Sequence, residues 1–386
     1  MASIISAGTT SGTALNMSGD TSGVLQLATN GTTTALSIST AQVVTLTKAL
    51  PEASGGTGTT TGYYGFKNRI INGAMAIDQR NAGASVTPTN NQFLTDRWIA
   101  FLTQASKYTA QQNAGSVTPP VGFTNYLGIT SSSAYSVVSS DYFALTQKIE
   151  GFNTADLGWG TASASPVTLS FWVRSSLTGT FGGSLINSAG NRAYTFTYTI
   201  SSANTWEYET ITIAGDTTGT WLTTNGIGIT LNFGLGVGST FSATAGSWGA
   251  GSFIFSATGA TSVVGTSGAT FYITGVQLEK GSTATSFDYR PYGTELSLCQ
   301  RYFELFTQPS AACLLSGYFA GSTNNALNVF YKQTKRAVPT VTAPIGWTNA
   351  TPSTAPSIDN CAFQASAFFY MNGSVGATVL TFSSEL

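Results

Sequence analysis

Glu207 and Glu209 are the carboxylates whose spacing could support catalysis. They lie two residues apart in a segment that alternates as a β-strand does, so both side chains are expected on one face. A glycosidase uses two carboxyl groups roughly 5 to 9.5 Å apart across a cleft, and neighbours on one face of a strand approach that separation. Nothing else in the sequence marks a cleft. We therefore expect solvated strand carboxylates and no enzyme activity.

Other catalytic chemistry is restricted by what the chain lacks. It contains no histidine, which excludes Ser-His-Asp and Cys-His nucleophiles, helix-borne zinc motifs and imidazole bases. Its three cysteines, Cys299, Cys313 and Cys361, are an odd number without metal-ligand spacing, so they are expected to be small buried apolar residues. We expect no bound metal and no cofactor.

Four charged residues stand close together in the sequence: Asp78, Arg80, Asp96 and Arg97. Arg and carboxylate side chains form strong paired hydrogen bonds, so these residues are expected to fix loops over a β core. The alternative is a set of polar ligands for a sugar or for Ca²⁺.

Aromatic residues are the candidate binding groups. Trp98, Trp172 and Trp206 lie in or beside strand patterns and are expected in the core. Aromatics among Ser, Gly and other loop residues are better placed to stack on the apolar faces of sugar rings. The expected ligand-binding residues are Tyr135, Trp248, Tyr318, Trp347, Phe369 and Tyr370. The alternative for these side chains is burial in a subunit interface.

Composition predicts an all-β protein. Only 8% of the 386 residues are charged, against roughly 25% in average soluble proteins, while aromatics reach 12% and glycine occurs 43 times. The net charge is −1 and the 15 cations are scattered, so no basic stripe exists for nucleic acid. There is no apolar run of about 18 residues for membrane insertion, and no signal peptide is evident. We expect synthesis in a cytoplasm without export by that route.

The N-terminal residues repeat a short apolar-polar-apolar triplet about every ten residues, with turn-forming spacers between the copies. Strands this short cannot bury a core alone and must stack on other copies. We expect a fibrous trimeric stem over residues 1–50. The alternative is a disordered Ser/Thr/Gly leader. The expected stem core is Leu15, Met17, Leu25, Leu27, Leu36, Ile38, Val44 and Leu46.

The rest of the chain divides by composition. Residues 51–62 form a Gly/Thr-rich linker. Residues 63–293 carry at least eight alternating segments, which predict one jelly-roll-like β-sandwich. A polar cap and apolar residues at helical spacing predict a short helical connector over 294–306. Residues 307–386 return to strand patterns and are expected to form a small C-terminal β tip domain.

Several motifs resemble those of bacteriophage tail-fibre and related virion fibre proteins. These are the Leu50-Pro51 to Gly58 junction, the run from Asn68 to Met75, Phe171-Trp172-Val173-Arg174, Gly275 to Gly281, and Cys299 to Glu304. The resemblance covers about residues 50–305. It implies a homotrimeric virion fibre with carbohydrate-binding-like sandwich modules, and it supplies no catalytic residue.

Three hypotheses follow for the whole chain. The first is a non-catalytic phage tail fibre in the virion, with a homotrimeric stem, an N-terminal partner among tail or capsid proteins, and host-surface polysaccharide as the distal ligand. The second places the same trimer on the capsid as a head fibre or decoration protein. The third is a polysaccharide-degrading tailspike, which the absence of long β-helix repeats in the sequence disfavours.

Overall fold

The computed structural model describes residues 3–6, 16–18, 22–29, 33–47, 66–308, 325–342, 366–371 and 378–386. Strands are the dominant secondary structure of these residues and helix is scarce, which confirms the all-β prediction. The chain forms two compact units, Met1–Lys67 and Asn68–Leu386.

The first unit is one five-stranded sheet with the order β2-β1-β3-β4-β5. The strands are β1 Ser3–Ser6, β2 Asn16–Ser18, β3 Leu25–Thr29, β4 Thr33–Ile38 and β5 Val44–Leu46. Three of the predicted triplets coincide with β3, the end of β4 and β5. Pairing is antiparallel throughout except between β1 and β3, which run parallel.

Register places the predicted stem residues in two rows across this sheet. One row is Leu25, Ile38 and Val44, and the second is Leu27, Leu36 and Leu46. Val44 is 57% exposed, and the other members of the rows are only partly buried or exposed. Met17 lies in β2, and Leu15 lies outside the described residues. Packing of these rows against other copies of the chain stays a prediction.

The second unit begins with a two-sheet sandwich. Its strands in chain order are β6 Gln92–Thr95, β7 Trp98–Leu102, β8 Tyr108–Gln112, β9 Leu127–Ser131, β10 Tyr142–Glu150, β11 Val167–Ser175, β12 Gly179–Ile186, β13 Arg192–Ile200, β14 Glu207–Ile213, β15 Ile227–Val237, β16 Ser242–Ala243, β17 Trp248–Ala250, β18 Ser256–Ala257 and β19 Thr270–Lys280. Short 3-10 turns lie at Ala114–Ser116, Gly151–Asn153, Ala155–Leu157 and Ser239–Phe241.

The strand pairs are nested as in a jelly roll. A seven-stranded sheet has the order β17-β13-β12-β15-β10-β7-β6, and a five-stranded sheet has the order β14-β11-β19-β9-β8. The β12–β13 hairpin is innermost, followed outward by the pairs β11–β14, β10–β15 and β9–β19. Successive pairs belong to alternate sheets, so winding this long hairpin produces two facing layers.

The core lies between the two sheets. Leu169, Phe171 and Val173 point inward from β11 and are fully buried together with Phe233 of β15. The rings of Phe171 and Phe233 meet edge to face at a centroid distance of 5.0 Å. The buried Trp98 joins them, as predicted for a core residue. Alternation along β11 therefore fixes which of its side chains face away from the core.

The predicted helix ends earlier than the sequence pattern indicates. The helix, α1, runs over Tyr292–Gln300, and strand β20 begins at Phe303, so the prediction is wrong for residues 303–306. The cause is tertiary pairing, because β20 forms an antiparallel ladder with the last strand of the chain, which overrides local helical preference.

The remaining strands are β20 Phe303–Gln308, β21 Asn325–Phe330, β22 Thr340–Thr342, β23 Ser366–Met371 and β24 Thr378–Ser383. They form a three-stranded sheet, β20-β24-β22, and a two-stranded sheet, β21-β23. Both belong to the same compact unit as the sandwich. A separate tip role for residues 307–386 stays a prediction.

Candidate aromatic binding face

Strand alternation places an aromatic pair on the outer face of the five-stranded sheet of the sandwich, β14-β11-β19-β9-β8. On β11, Trp172 lies between the inward-facing Phe171 and Val173 and therefore points outward. Its register partner on β14 is Tyr208, which is 44% exposed. The two ring centroids are 5.3 Å apart. The sheet thus presents adjacent rings on the side away from its core.

Gly275 lets this aromatic surface continue across β19. Its φ of +62° marks a bulge, and a Cβ at this position would lie 2.6 Å from Phe123 Cζ and 3.2 Å from Trp172 Cδ1. Only glycine lets both rings approach so closely. Phe123 in turn contacts Phe287 and Tyr289, at centroid distances of 5.1 and 5.4 Å.

A second group of rings borders the pair on the side of β9. Tyr126 contacts Tyr272 and Trp206 at centroid distances of 5.2 and 5.5 Å. The Tyr126 hydroxyl donates to the carbonyl of Ala114 at 2.5 Å, and the Trp206 indole donates to the carbonyl of Thr118 at 2.9 Å. Both donors are thus bonded within the protein. These rings support the edge of the aromatic surface and hold the loop over residues 114–118 in place.

Polar side chains cover the other half of the same sheet face. The Gln277 amide donates to Glu279 at 2.9 Å and accepts from the Asp288 backbone N–H at 2.8 Å. Thr285 donates its hydroxyl to Glu279 at 2.6 Å. The segment over residues 285–288 therefore seals this half, and the aromatic half is the part left for contact with another molecule.

The aromatic face has unused polar groups at its centre. Within the part of the chain that the structure describes, the Trp172 indole N–H and the Tyr208 hydroxyl form no hydrogen bond. Arg174, two residues beyond Trp172, uses its Nε to donate to the Asn204 carbonyl at 2.9 Å. A surface of ring faces with free donors beside them is suited to sugars, whose rings have apolar faces and hydroxyl edges. We define the aromatic face as Trp172, Tyr208, Phe123, Tyr289 and Arg174.

The sequence contained the signal for this face, but the expectation for Trp172 was wrong. We expected Trp172 in the core because strand aromatics usually pack there, whereas the structure leaves it half-buried on the outer face. Its position is out of phase with Leu169, Phe171 and Val173. Tyr208 is likewise out of phase with Ile211 and Ile213 of β14. Comparing the position of each aromatic residue with the alternation of the aliphatic residues on its strand identifies both as outward-facing.

The predicted loop aromatics lie elsewhere. Tyr135 is half-buried, donates its hydroxyl to Asp141 at 2.8 Å and packs against Phe143. The hydrogen bond to Asp141 is the main cause that raises the pKa of Tyr135. Phe369 and Tyr370 lie in β23. Tyr318 and Trp347 lie outside the described residues. A binding role for these residues stays a prediction.

Trp248 belongs to a cluster of three tryptophans. Trp159, Trp221 and Trp248 meet edge to face at centroid distances between 4.7 and 5.4 Å. Each indole N–H is bonded within the protein, to Ser165, Asp216 and Ala214. The depression beside Trp159 and Trp221 has a volume of about 10 Å³, which is room for about one water molecule and too little for a sugar ring. The cluster therefore reads best as a support for the surrounding loops.

The candidate catalytic carboxylates lie on the other side of β14 from Tyr208. Glu207 and Glu209 share their face with Ile211 and Ile213. Glu207 accepts from the backbone N–H groups of Ser201 and Ser202, with donor-to-oxygen distances from 2.7 to 3.0 Å, and so fixes the turn that leads from β13 in one sheet to β14 in the other. Burial, and then the neighbouring Glu207, raises the pKa of Glu209.

The four clustered charged residues fix loops, as expected. Asp78 accepts from backbone N–H groups in its own turn, and Asp96 accepts from both nitrogens of Gln79. Arg80 and Arg97 both donate to Glu385 near the end of β24. Among the described residues, no group of three or more His, Cys, Asp or Glu side chains is arranged to hold a metal ion.

Comparisons with known proteins give structural likenesses alone. No protein-family model matches the sequence, and no curated protein matches it. Over 55% of its length the chain is similar to the enzymatically active domain of tailspike protein 4 of bacteriophage CBA120, with 14% identity and a TM-score of 0.31, and it covers 21% of that chain. It thus spans about a fifth of that solved chain.

Carbohydrate-binding modules show comparable likeness. A CBM4 structure matches over 55% of this chain and 99% of its own, with 12% identity and a TM-score of 0.30. The family 11 module from Clostridium thermocellum, in complex with a β-1,3-1,4-mixed-linked tetrasaccharide, matches over 53% and 98%, with 10% identity and a TM-score of 0.26. At these scores the likenesses carry no functional argument, so we argue function from the chain's own side chains. Within the described residues, no helix has the length and apolar character to cross a membrane.

Proposed function

We propose that this protein is a non-catalytic glycan-binding fibre protein of a bacteriophage particle, with the aromatic face as its sugar-binding surface. The observation that carries the proposal is the pair of Trp172 and Tyr208, two adjacent rings on an outer sheet face with unused polar groups. The half-buried Trp172 ring and the exposed Tyr208 ring leave apolar area in contact with water, and covering that area with sugar rings is favourable.

Binding through this face needs no chemistry on the sugar. The rings of Trp172 and Tyr208 would stack on the apolar faces of sugar rings, while the indole N–H and the tyrosine hydroxyl bond the hydroxyl edges. Glu207 and Glu209 point to the opposite side of β14 and cannot flank a bond held on this face. This separation supports a binding role without hydrolysis.

The stem supports assembly from several copies. Met1–Lys67 contains one sheet, and its two rows of Leu, Ile and Val side chains remain partly exposed. Copies of the chain packed row against row would remove this area from water, and we propose three, as the resemblance to phage fibres implies. Three equivalent faces would raise weak single-site affinity through effective concentration.

Assembly in a virion is the part of the proposal that the resemblance carries. The stem would attach to tail proteins and the aromatic face would meet host-surface polysaccharide. The alternative attachment is to the capsid as a head fibre. Antibody labelling of purified particles, seen by electron microscopy, distinguishes them: label at the tail supports the first, and label over the capsid replaces it with the second.

Glycan binding is tested with a microarray of bacterial surface polysaccharides and the full-length protein. We expect binding by the wild type, at least about tenfold weaker binding by Trp172→Ala, and unchanged binding by Phe152→Ala, which removes an exposed aromatic from a 3-10 turn outside the face. Equal binding by all three proteins would show that the sugar lies elsewhere. Release of reducing sugar from any bound polysaccharide would overturn the non-catalytic assignment.

A further inference from the structure

Arg174 differs in its ion pairing from most of the seven other arginines of the chain. Six of them form an ion pair with a carboxylate: Arg69, Arg80, Arg97, Arg192, Arg290 and Arg301. Arg174 forms none with any described residue, although it is half-buried at the centre of the aromatic face. Only 8% of the residues in this chain are charged, so a cation without an ionic partner among the described residues is unusual here and points to a partner outside the chain.

The surroundings hold the Arg174 guanidinium in position without neutralising it. Nε donates to the Asn204 carbonyl at 2.9 Å, and Cζ lies 5.4 Å from the centroid of the Tyr272 ring. No hydrogen bond to a described residue engages the two terminal nitrogens. Their N–H groups form the planar fork that fits a carboxylate with two parallel hydrogen bonds.

The position relative to Trp172 places this fork beside the stacking surface. Both side chains project from β11 on the outer face, two residues apart, and residues spaced this way on a strand lie about 7 Å apart. A sugar ring stacked on Trp172 would therefore have its neighbour, or its own exocyclic group, within reach of Arg174.

Building on the proposed function, we infer that the aromatic face selects acidic polysaccharides, with the Arg174 guanidinium pairing with a sugar carboxylate beside the ring stacked on Trp172. Neutral glycans leave the terminal nitrogens to water. A carboxylate replaces that water with two charge-assisted hydrogen bonds, on a surface where neighbouring rings limit screening. Arg174 is thus a specificity-determining residue in this account, and Trp172 and Tyr208 supply affinity for sugars of either charge.

The test uses matched probes on the full-length protein. Acidic bacterial capsular polysaccharides are printed in native form and after carboxyl reduction, which converts each uronate to a neutral hexose and leaves the linkages unchanged. We expect the wild type to bind native forms about tenfold more strongly than reduced forms, Arg174→Gln to lose this ratio, and Arg174→Lys to retain part of it. Added salt should weaken wild-type binding to native probes alone.

The outcomes separate the inference from the proposed function. Equal wild-type binding to native and reduced probes would overturn charge selection and leave glycan binding standing. Wild-type binding to no probe on the array would refute both. An unchanged ratio in Arg174→Gln would show that Arg174 only supports Tyr272 and Asn204. Urea unfolding of Arg174→Gln separates a folding defect from lost selectivity, because a folded variant that still binds reduced probes has kept the aromatic surface.

Discussion

Replacing Glu385 with glutamine tests how the C-terminal residues are held on the sandwich. Glu385 is 9% exposed and accepts from Arg97 and from Arg80, the latter at 2.5 Å. Arg97 also lies over the Tyr302 ring, with Cζ 3.6 Å from the centroid. Glutamine keeps the shape of the side chain but leaves two largely buried guanidinium groups without their shared counter-charge.

The expected cost is large because Arg97 is buried and Arg80 is largely buried. Breaking a buried ion pair by removing one partner costs about 3–5 kcal/mol, and we expect Glu385→Gln to lower the free energy of unfolding by that amount. Asp156→Asn is the matched control, since Asp156 also meets two cations, Arg69 and Lys280, but is 34% exposed. Its loss should stay below about 1 kcal/mol.

Urea unfolding followed by tryptophan fluorescence measures both variants. The midpoint should fall for Glu385→Gln while the slope of the transition stays constant, which indicates a change in stability alone. A loss below about 1 kcal/mol for Glu385→Gln, similar to the control, would refute the reasoning and show that water or local rearrangement satisfies the two arginines.

Three further perturbations address the face, a buried carboxyl and the stem. Gly275→Ala should lower the free energy of unfolding by about 1–3 kcal/mol and weaken sugar binding, because the new Cβ displaces Phe123. Gly249→Ala, which has open space at its Cβ, is the control, and equal urea midpoints for the two variants would count against this packing. Burial raises the pKa of Asp96 to about 6, so its ionisation opposes folding: this contribution favours the folded state at low pH and is lost as pH rises through about 6. The free energy of unfolding of Asp96→Asn relative to wild type should therefore rise by about 3 kcal/mol from acid to neutral pH, and a difference independent of pH in thermal unfolding would contradict this. Light scattering should show that Ile38→Asp converts the proposed trimer to a monomer, whereas Ser37→Asp, one residue earlier on β4, should not. A trimer that stays intact with Ile38→Asp would exclude these rows as the interface.

Local periodicity predicted the strands well because β-structure has a two-residue repeat. The triplets Leu25-Gln26-Leu27 and Val44-Thr45-Leu46 lie in strands, and β13 lies in the span 63–293 over which alternation predicted strands. The same repeat predicts the outward position of Tyr208. Periodicity does not show which outward-facing residues are covered by other parts of the chain. The segment over 285–288 covers one half of this sheet face through contacts that the two-residue repeat does not encode.

Long-range contacts explain the features that the sequence did not predict. The helix stops at Gln300 because β20 pairs with β24, about 80 residues away along the chain. Arg80 and Arg97 bind Glu385, which lies 305 and 288 residues further along the chain. Trp248, which its Ser- and Gly-rich neighbours marked as exposed, joins a cluster with Trp159. Such partners are set by topology rather than by neighbouring residues.

The aromatic face is tested most directly by the indole NMR signals of the full-length protein. The chain has seven tryptophans, each with one Nε1–H group. On addition of a polysaccharide found by the array, the Trp172 signal should shift because this indole is free to bond the sugar, while the Trp98 signal should stay in place because its N–H is bonded to the Asn72 carbonyl in the core. Saturating polysaccharide that shifts other indole signals and leaves that of Trp172 unchanged would contradict the account.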